Sequence, residues 1–129
     1  MASVRGKDTK PEMTVRTILH RLGYRFRLHR PDLPGTPDLV FPSRRKVIFV
    51  HGCFWHVHDC HKGAVAPLTN AAFWNAKRQK TVERDRKAVI LLAAEGWTAY
   101  IVWECELRHL DELQDRLVEF LLRDDHASH

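Results

Sequence analysis

The hexapeptide KVIFVH, residues 46–51, is the most strand-like run in the chain. Four consecutive β-branched or aromatic residues stand between two polar ends, which suits a central strand. Just upstream, Ser43 to Lys46 reads as a tight, basic turn, and Asp38 to Phe41 as a short apolar strand that the turn folds back against KVIFVH. Before that lies HRPDLPGTP (29–37), a loop dense in turn-forming residues. Tyr24 to Leu28 alternates large apolar residues with arginines, the pattern of a half-exposed strand. The first periodic segment runs from about Pro11 to Leu22. Met13, Val15, Ile18, Leu19 and Leu22 recur near the helical period, Thr9 and Glu12 form a T-x-x-E capping box, and Gly23 ends the helix.

Downstream, Gly52 to Pro67 has little periodicity and is read as a loop organised by something other than a core. A long helix is expected from about Asn70 to Glu95. Phe73 and Trp74 are in its first turn, a basic middle spans Lys77 to Lys87, and a buried apolar end holds Val89, Ile90, Leu92 and Ala93. Trp97 to Trp103 (WTAYIVW) reads as a second central strand. Leu110, Leu113, Leu117, Phe120 and Leu121 make an amphipathic C-terminal helix. The order predicts an α/β fold: a small mixed central sheet flanked by helices, in one domain over residues 1–129.

Composition narrows the function. The chain has 129 residues, with 21 Lys and Arg against 16 Asp and Glu, a net charge of +5. Mean hydropathy is -0.38. These values exclude a disordered or collagenous chain, and the positive excess suits a polyanion partner. No apolar run approaches the roughly 20 residues that span a bilayer, so no membrane association is expected. The opening MASVRGKDTK has no apolar core, so no secretory signal is read. Three cysteines cannot all pair internally, and nine histidines accompany them, which points to metal binding.

Cys53, His58 and Cys60 fall in a C-x4-H-x-C pattern, and Cys105 follows a strand expected beside residues 46–51. Three thiolates and one imidazole suit a tetrahedral, structural Zn²⁺, because soft ligands disfavour Mg²⁺ and four protein donors leave no open position. The competing reading is that the cysteines are small buried apolar residues and the histidines surface polar ones. A second site is suggested by Asp38 and His51, which adjacent antiparallel strands can bring to one edge of the sheet. A carboxylate there can hold Mg²⁺, and His51 or His56 can accept a proton from an attacking water. Taken singly, each residue has a bland alternative as a turn aspartate or a hydrogen-bonded strand-end histidine.

Several stretches together resemble the very short patch repair (Vsr) DNA mismatch endonucleases: PGTPDLVF, KVIFVHGCFWHVHDC, FW, VERD and GWTAYIVWEC, along with the N-terminal DTKPE. The match runs from Met1 to about Leu107. The resemblance implies a restriction-endonuclease-like core carrying a structural zinc loop. It implies Mg²⁺-dependent nicking of double-stranded DNA at T:G mismatches left by 5-methylcytosine deamination. It implies a monomer working in the bacterial cytoplasm at the nucleoid. Residue by residue, it assigns the Mg²⁺ carboxylate to Asp38 and a backbone-carbonyl ligand to Val50. Catalytic histidines fall on His51 and His56, supporting acids on Glu12 and Asp85, and zinc ligands on Cys53, His58, Cys60 and Cys105. It assigns aromatic wedges to Phe54, Trp55 and Trp74, and an arm over residues 1–10 with Met1 and Val4 as its apolar contacts. Lys77, Arg78, Lys80 and Arg84 supply a basic helix from which a subset faces phosphates; the alternative is a solvated face with internal ion pairs.

Three functions stay open at this point: a mismatch-directed nicking endonuclease, a zinc-stabilised mismatch-binding module without catalysis, and a restriction-type nuclease with another target. The cysteine pattern yields one prediction. The purified protein carries about one equivalent of Zn²⁺ by elemental analysis, and Cys105→Ser loses it; a folded, zinc-free wild type contradicts the assignment.

Overall fold

A computed structural model describes residues 9–53 and 71–123. Helix α1 spans Lys10–Arg21, strand β1 Arg27–Leu28, β2 Leu39–Phe41, β3 Lys46–His51, helix α2 Ala71–Ala94, β4 Thr98–Trp103 and α3 Leu110–Leu122. Single-turn 3-10 segments at Pro42–Arg44 and Glu104–Arg108 link β2 to β3 and β4 to α3. The sheet order is β1-β2-β3-β4. The first three strands run antiparallel, and β4 joins β3 in parallel from Lys46↔Thr98 to His51↔Trp103. The sheet is therefore mixed and small, as expected.

The sheet is covered on both faces. On one side Leu39, Phe41 and Ile48 pack with Val15, Ile18 and Leu19 of α1 and Leu113, Leu117, Phe120 and Leu121 of α3. On the other, Val40, Val47 and Phe49 pack with Leu33, Leu92 of α2 and Trp97. This alternation within β2 and β3 is the period-2 consequence of strand geometry. It explains why KVIFVH reads as a continuous apolar run: both of its faces are core.

Four expectations need correction. Strand β4 lies at the sheet's edge: among the described residues no strand pairs with its side away from β3. The Tyr24–Leu28 segment pairs only at Arg27 and Leu28. Its partner strand has just three residues, yet Tyr24 and Phe26 still lean on the core as the alternation predicts. The end of α2 is not buried all round: Ala88 and Leu92 are interior, while Ile90 is 62% exposed. A helix lying on a narrow sheet buries one stripe only. Finally, Thr9 and Lys10 do not belong to an arm. Thr9 is the N-cap of α1, its hydroxyl accepting from the Glu12 amide, and Lys10 opens the helix. Met1 and Val4 lie outside the described residues.

Two local devices hold the layers in register. Gly35 has φ +77°, and a Cβ there would sit 2.7 Å from the Ala88 Cβ and 3.2 Å from the Phe49 ring. The LPGTP loop thus packs its backbone directly onto α2 and β3, which only glycine permits. The basic turn is not merely solvated. Lys46 is 2% exposed, and its Nζ donates to the main-chain carbonyls of Phe120, Leu121 and Arg123. Arg44 adds a bond to the Leu121 carbonyl at 3.2 Å. The cations therefore satisfy the orphan carbonyls at the C-terminus of α3, where the helix dipole also favours positive charge. Lys46→Met keeps the apolar stem but strands those carbonyls. It is expected to cost roughly 2–3 kcal/mol, read as a lowered urea midpoint with unchanged slope.

Candidate active site

The site is built where β2 begins and β3 ends. The antiparallel pairing of Leu39 with Ile48 sets Asp38, just ahead of β2, opposite Phe49 and next to Val50. There its Oδ2 accepts a hydrogen bond from the Val50 amide at 2.7 Å. The N–H and C=O of one strand residue point the same way, so the Val50 carbonyl also faces the Asp38 side. His51 is the next residue, at the carboxyl end of β3, and it is buried. The expectation that a short turn between antiparallel strands would bring Asp38 and the end of KVIFVH together is met by this geometry.

Glu12 reaches the same rim from α1. It lies one turn ahead of Val15 on the helix's buried face and is 1% exposed. Its amide keeps the capping bond to Thr9, but its carboxylate turns inward. Oε2 meets His29 Nε2 at 2.6 Å and is also held by Arg16. His29 Nε2 lies 4.0 Å from Asp38 Oδ1. Glu12, His29 and Asp38 each offer a ligand atom, all within 4.8 Å of one another, and form the metal-competent group among the described residues. Sequence reasoning missed His29, placing it in a turn-rich loop. The available signal was its position directly after the apolar-Arg alternation, at the point where a strand beside Asp38 must end.

Asp85 approaches from the other face. Helix α2 turns Trp74, Arg78, Asp85, Ala88 and Leu92 inward at spacings of three, four and seven residues, while Lys77, Lys80 and Arg84 are exposed. Asp85 Oδ2 lies 3.9 Å from His51 Nδ1. His51 also packs its ring edge-on against Trp103 and tilted against Phe49, which fix its plane. Arg78 is 6% exposed, so it departs from the expected phosphate-facing set; Lys77, Lys80 and Arg84 remain available to solvent. Trp74 is half-buried and meets the exposed Phe73 edge-to-face at 5.1 Å.

The donors suit two different ions. Glu12 and Asp38 provide hard oxygens at the rim, with the Val50 carbonyl beside them, appropriate to Mg²⁺. Cys53 and Cys105 each stand two residues beyond the paired His51 and Trp103, so the parallel register carries both thiols past the same end of the sheet. Cys53 is fully buried, and its amide reaches Glu104 Oε1 at 3.4 Å. These two fit one half of a thiolate-rich zinc site. His56, His58, Cys60, Phe54 and Trp55 lie outside the described residues.

Burial pushes the Asp38 carboxyl up to about 7; the Glu12 carboxylate adds to the rise, while the Val50 amide and Arg16 oppose it. The group is ordinarily ionised well below that, so the folded, cation-free protein holds its proton more tightly than the unfolded chain does. Stability from this residue is complete below pH 4 and is lost as pH climbs through 7, with a ceiling of roughly 4 kcal/mol. In Mg²⁺-free buffer, Asp38→Asn is therefore expected to melt several degrees above wild type at pH 8, the gap shrinking towards pH 4. Parallel melting curves across that range contradict the assignment.

A family model described as DNA mismatch endonuclease Vsr matches residues 1–62. The chain is 54% identical over 121 residues to the type II nicking enzyme V.XorIIP of Xanthomonas oryzae pv. oryzae, an alignment spanning 94% of this chain and 88% of that protein. It is 40% identical over 117 residues to the type II nicking enzyme V.NmeAIP of Neisseria meningitidis, spanning 91% of this chain and 83% of the relative. Identity to the DNA mismatch endonuclease Vsr of Escherichia coli K12 is 44% over 115 residues, 89% of this chain and 73% of that protein. With similarity of this extent joined to a rim of buried carboxylates and histidines, the chain belongs to the Vsr family of DNA mismatch endonucleases.

Proposed function

We propose that this endonuclease nicks double-stranded DNA beside the T of a T:G mispair left by 5-methylcytosine deamination, using Mg²⁺ at the sheet rim and a structural Zn²⁺ held by Cys53, His58, Cys60 and Cys105. The observation that carries the reading is that Glu12 and Asp38 gather around His29 against the Val50 amide, while the next residue of β3, His51, faces Asp85. A DNA-binding module has no use for an acid pair and an oriented histidine at a sheet rim; a phosphodiesterase needs both.

Mg²⁺, held by Asp38, Glu12 and the Val50 carbonyl, would neutralise charge developing on the phosphoryl and leaving oxygens. The protein's own groups do the rest. The Val50 amide holds the Asp38 carboxylate in one orientation. Asp85, facing Nδ1, favours the His51 tautomer whose Nε2 can take a proton from the attacking water. His56 is the second imidazole available for that transfer. Lys77, Lys80 and Arg84 along the outer face of α2 neutralise phosphates, giving salt-sensitive binding without base specificity.

Mismatch preference is assigned to Phe54, Trp55 and Trp74, with Met1 and Val4 of the N-terminal arm. Inserting an aromatic wedge costs a few kcal/mol of stacking, and less where a mispair has already weakened the stack. Cys53, His58, Cys60 and Cys105 would keep that loop rigid. The protein would act as a monomer at the bacterial nucleoid, within the cytoplasm. No described helix is long and apolar enough to cross a membrane.

The test is a nicking assay on labelled duplexes differing only in one T:G or C:G pair, with and without Mg²⁺. Wild type is expected to cut one strand of the T:G duplex only, and only with the cation. Asp38→Ala should lose on the order of 1,000-fold in rate while still retarding the T:G duplex in a gel. Equal cutting of both duplexes would favour a nuclease with another target, and binding without cutting by wild type would favour a mismatch-binding module.

A further inference from the structure

The loop between β1 and β2 leaves and returns at one point. The last paired residues are Leu28 and Leu39, and beyond them the His29 amide donates to the Asp38 carbonyl at 3.2 Å. His29 therefore stands directly across from Asp38. Its backbone has φ 47°, in the left-handed region that non-glycine residues enter at a cost. The side chain is largely enclosed, 17% exposed, with Nε2 in the gap between two buried carboxylates: 2.6 Å from Glu12 Oε2 and 4.0 Å from Asp38 Oδ1. Donor atoms around a six-coordinate cation with bonds near 2.1 Å are separated by about 3 Å when adjacent and about 4.2 Å when opposite. The observed pair of distances approximates one adjacent and one opposite position, and the tighter contact needs only a few tenths of an ångström to open.

We propose that His29 is a further protein ligand of the rim cation, beside Asp38, Glu12 and the Val50 carbonyl, making this a mixed nitrogen–oxygen site rather than an all-oxygen one. The inference rests on the reading of Asp38 and Glu12 as the cation site and adds a ligand to it. The consequence is selectivity. Mg²⁺ prefers oxygen and holds its waters, whereas Mn²⁺ and Co²⁺ accept imidazole readily. His29 should therefore strengthen Mn²⁺ binding much more than Mg²⁺ binding, and set which cation the enzyme takes when both are present.

The experiment uses the zinc-loaded protein and reads binding, not turnover. Mn²⁺ is titrated by electron paramagnetic resonance into wild type, His29→Gln and Asp38→Asn, with Mg²⁺ as competitor, and the bound ion is examined for nitrogen modulation by pulsed methods. Circular dichroism melts check that each variant is folded, and His29→Asn serves as a second variant of different length. Wild type is expected to show a directly bound nitrogen. His29→Gln should lose that signal and weaken Mn²⁺ binding by about 10-fold or more, while Mg²⁺ binding changes by less than about 3-fold. If His29→Gln and His29→Asn keep both the nitrogen signal and the Mn²⁺ affinity while Asp38→Asn abolishes binding, His29 is not a ligand and the rim site stands without it. If Asp38→Asn also binds Mn²⁺ as wild type does, the cation site itself is misassigned and the inference falls with it.

Discussion

The bond from the Val50 amide to the Asp38 carboxylate joins the fold to the chemistry. It continues the β2–β3 ladder by one rung after β2 has run out of backbone partners, so a side chain replaces a strand. That substitution holds an acid where solvent cannot stabilise its charge, which is why its affinity for a proton is raised. A carboxylate held in this way is poised for a cation, because neutralisation by an ion relieves the same desolvation that a proton would. Lower stability is the usual cost of charge preorganised in this way.

The remaining site groups depend on the same rim. Glu12 arrives because the buried stripe of α1 begins with an acid in place of an apolar residue. His51 arrives because β3 ends there, and Asp85 meets it because α2 crosses back over the opposite face before β4 pairs in parallel with β3. That parallel register also carries Cys53 and Cys105 past the same end of the sheet. A metal bridging them would tie the loop after β3 to the turn after β4, next to the histidine. The carboxyl ends of β3 and β4 thus bring His51, Cys53 and Cys105, the residues proposed for proton transfer and zinc binding, to one end of the sheet.

Charge shows most clearly how context changes the meaning of a residue. Lys46 and Arg44 read as part of a tight, basic turn, yet they cap the end of α3. Arg78 sits among exposed lysines and arginines in the sequence, yet the three-four spacing that turns Trp74, Asp85 and Leu92 inward turns it inward too. Ile90 shows the reverse, an apolar residue left exposed because a four-stranded sheet accepts only one stripe of the helix. The aromatic start, basic middle and apolar end of residues 70–95 predict a helix there, but they do not say which stripe faces the sheet.

Periodicity, turn chemistry and composition determined the element order, the central place of residues 46–51, the helix capped by Thr9, and the approach of Asp38 to the end of β3. These are legible because they depend on local spacing and on one short connection. Tertiary structure alone decided that β4 is an edge strand, that Lys46 caps a helix 74 residues away, and that His29 joins Glu12 and Asp38. Each of those depends on pairing between segments far apart in the chain. Local propensity carries no record of which distant surface a strand or side chain will meet, since many partners satisfy the same local pattern and only the packed arrangement selects one.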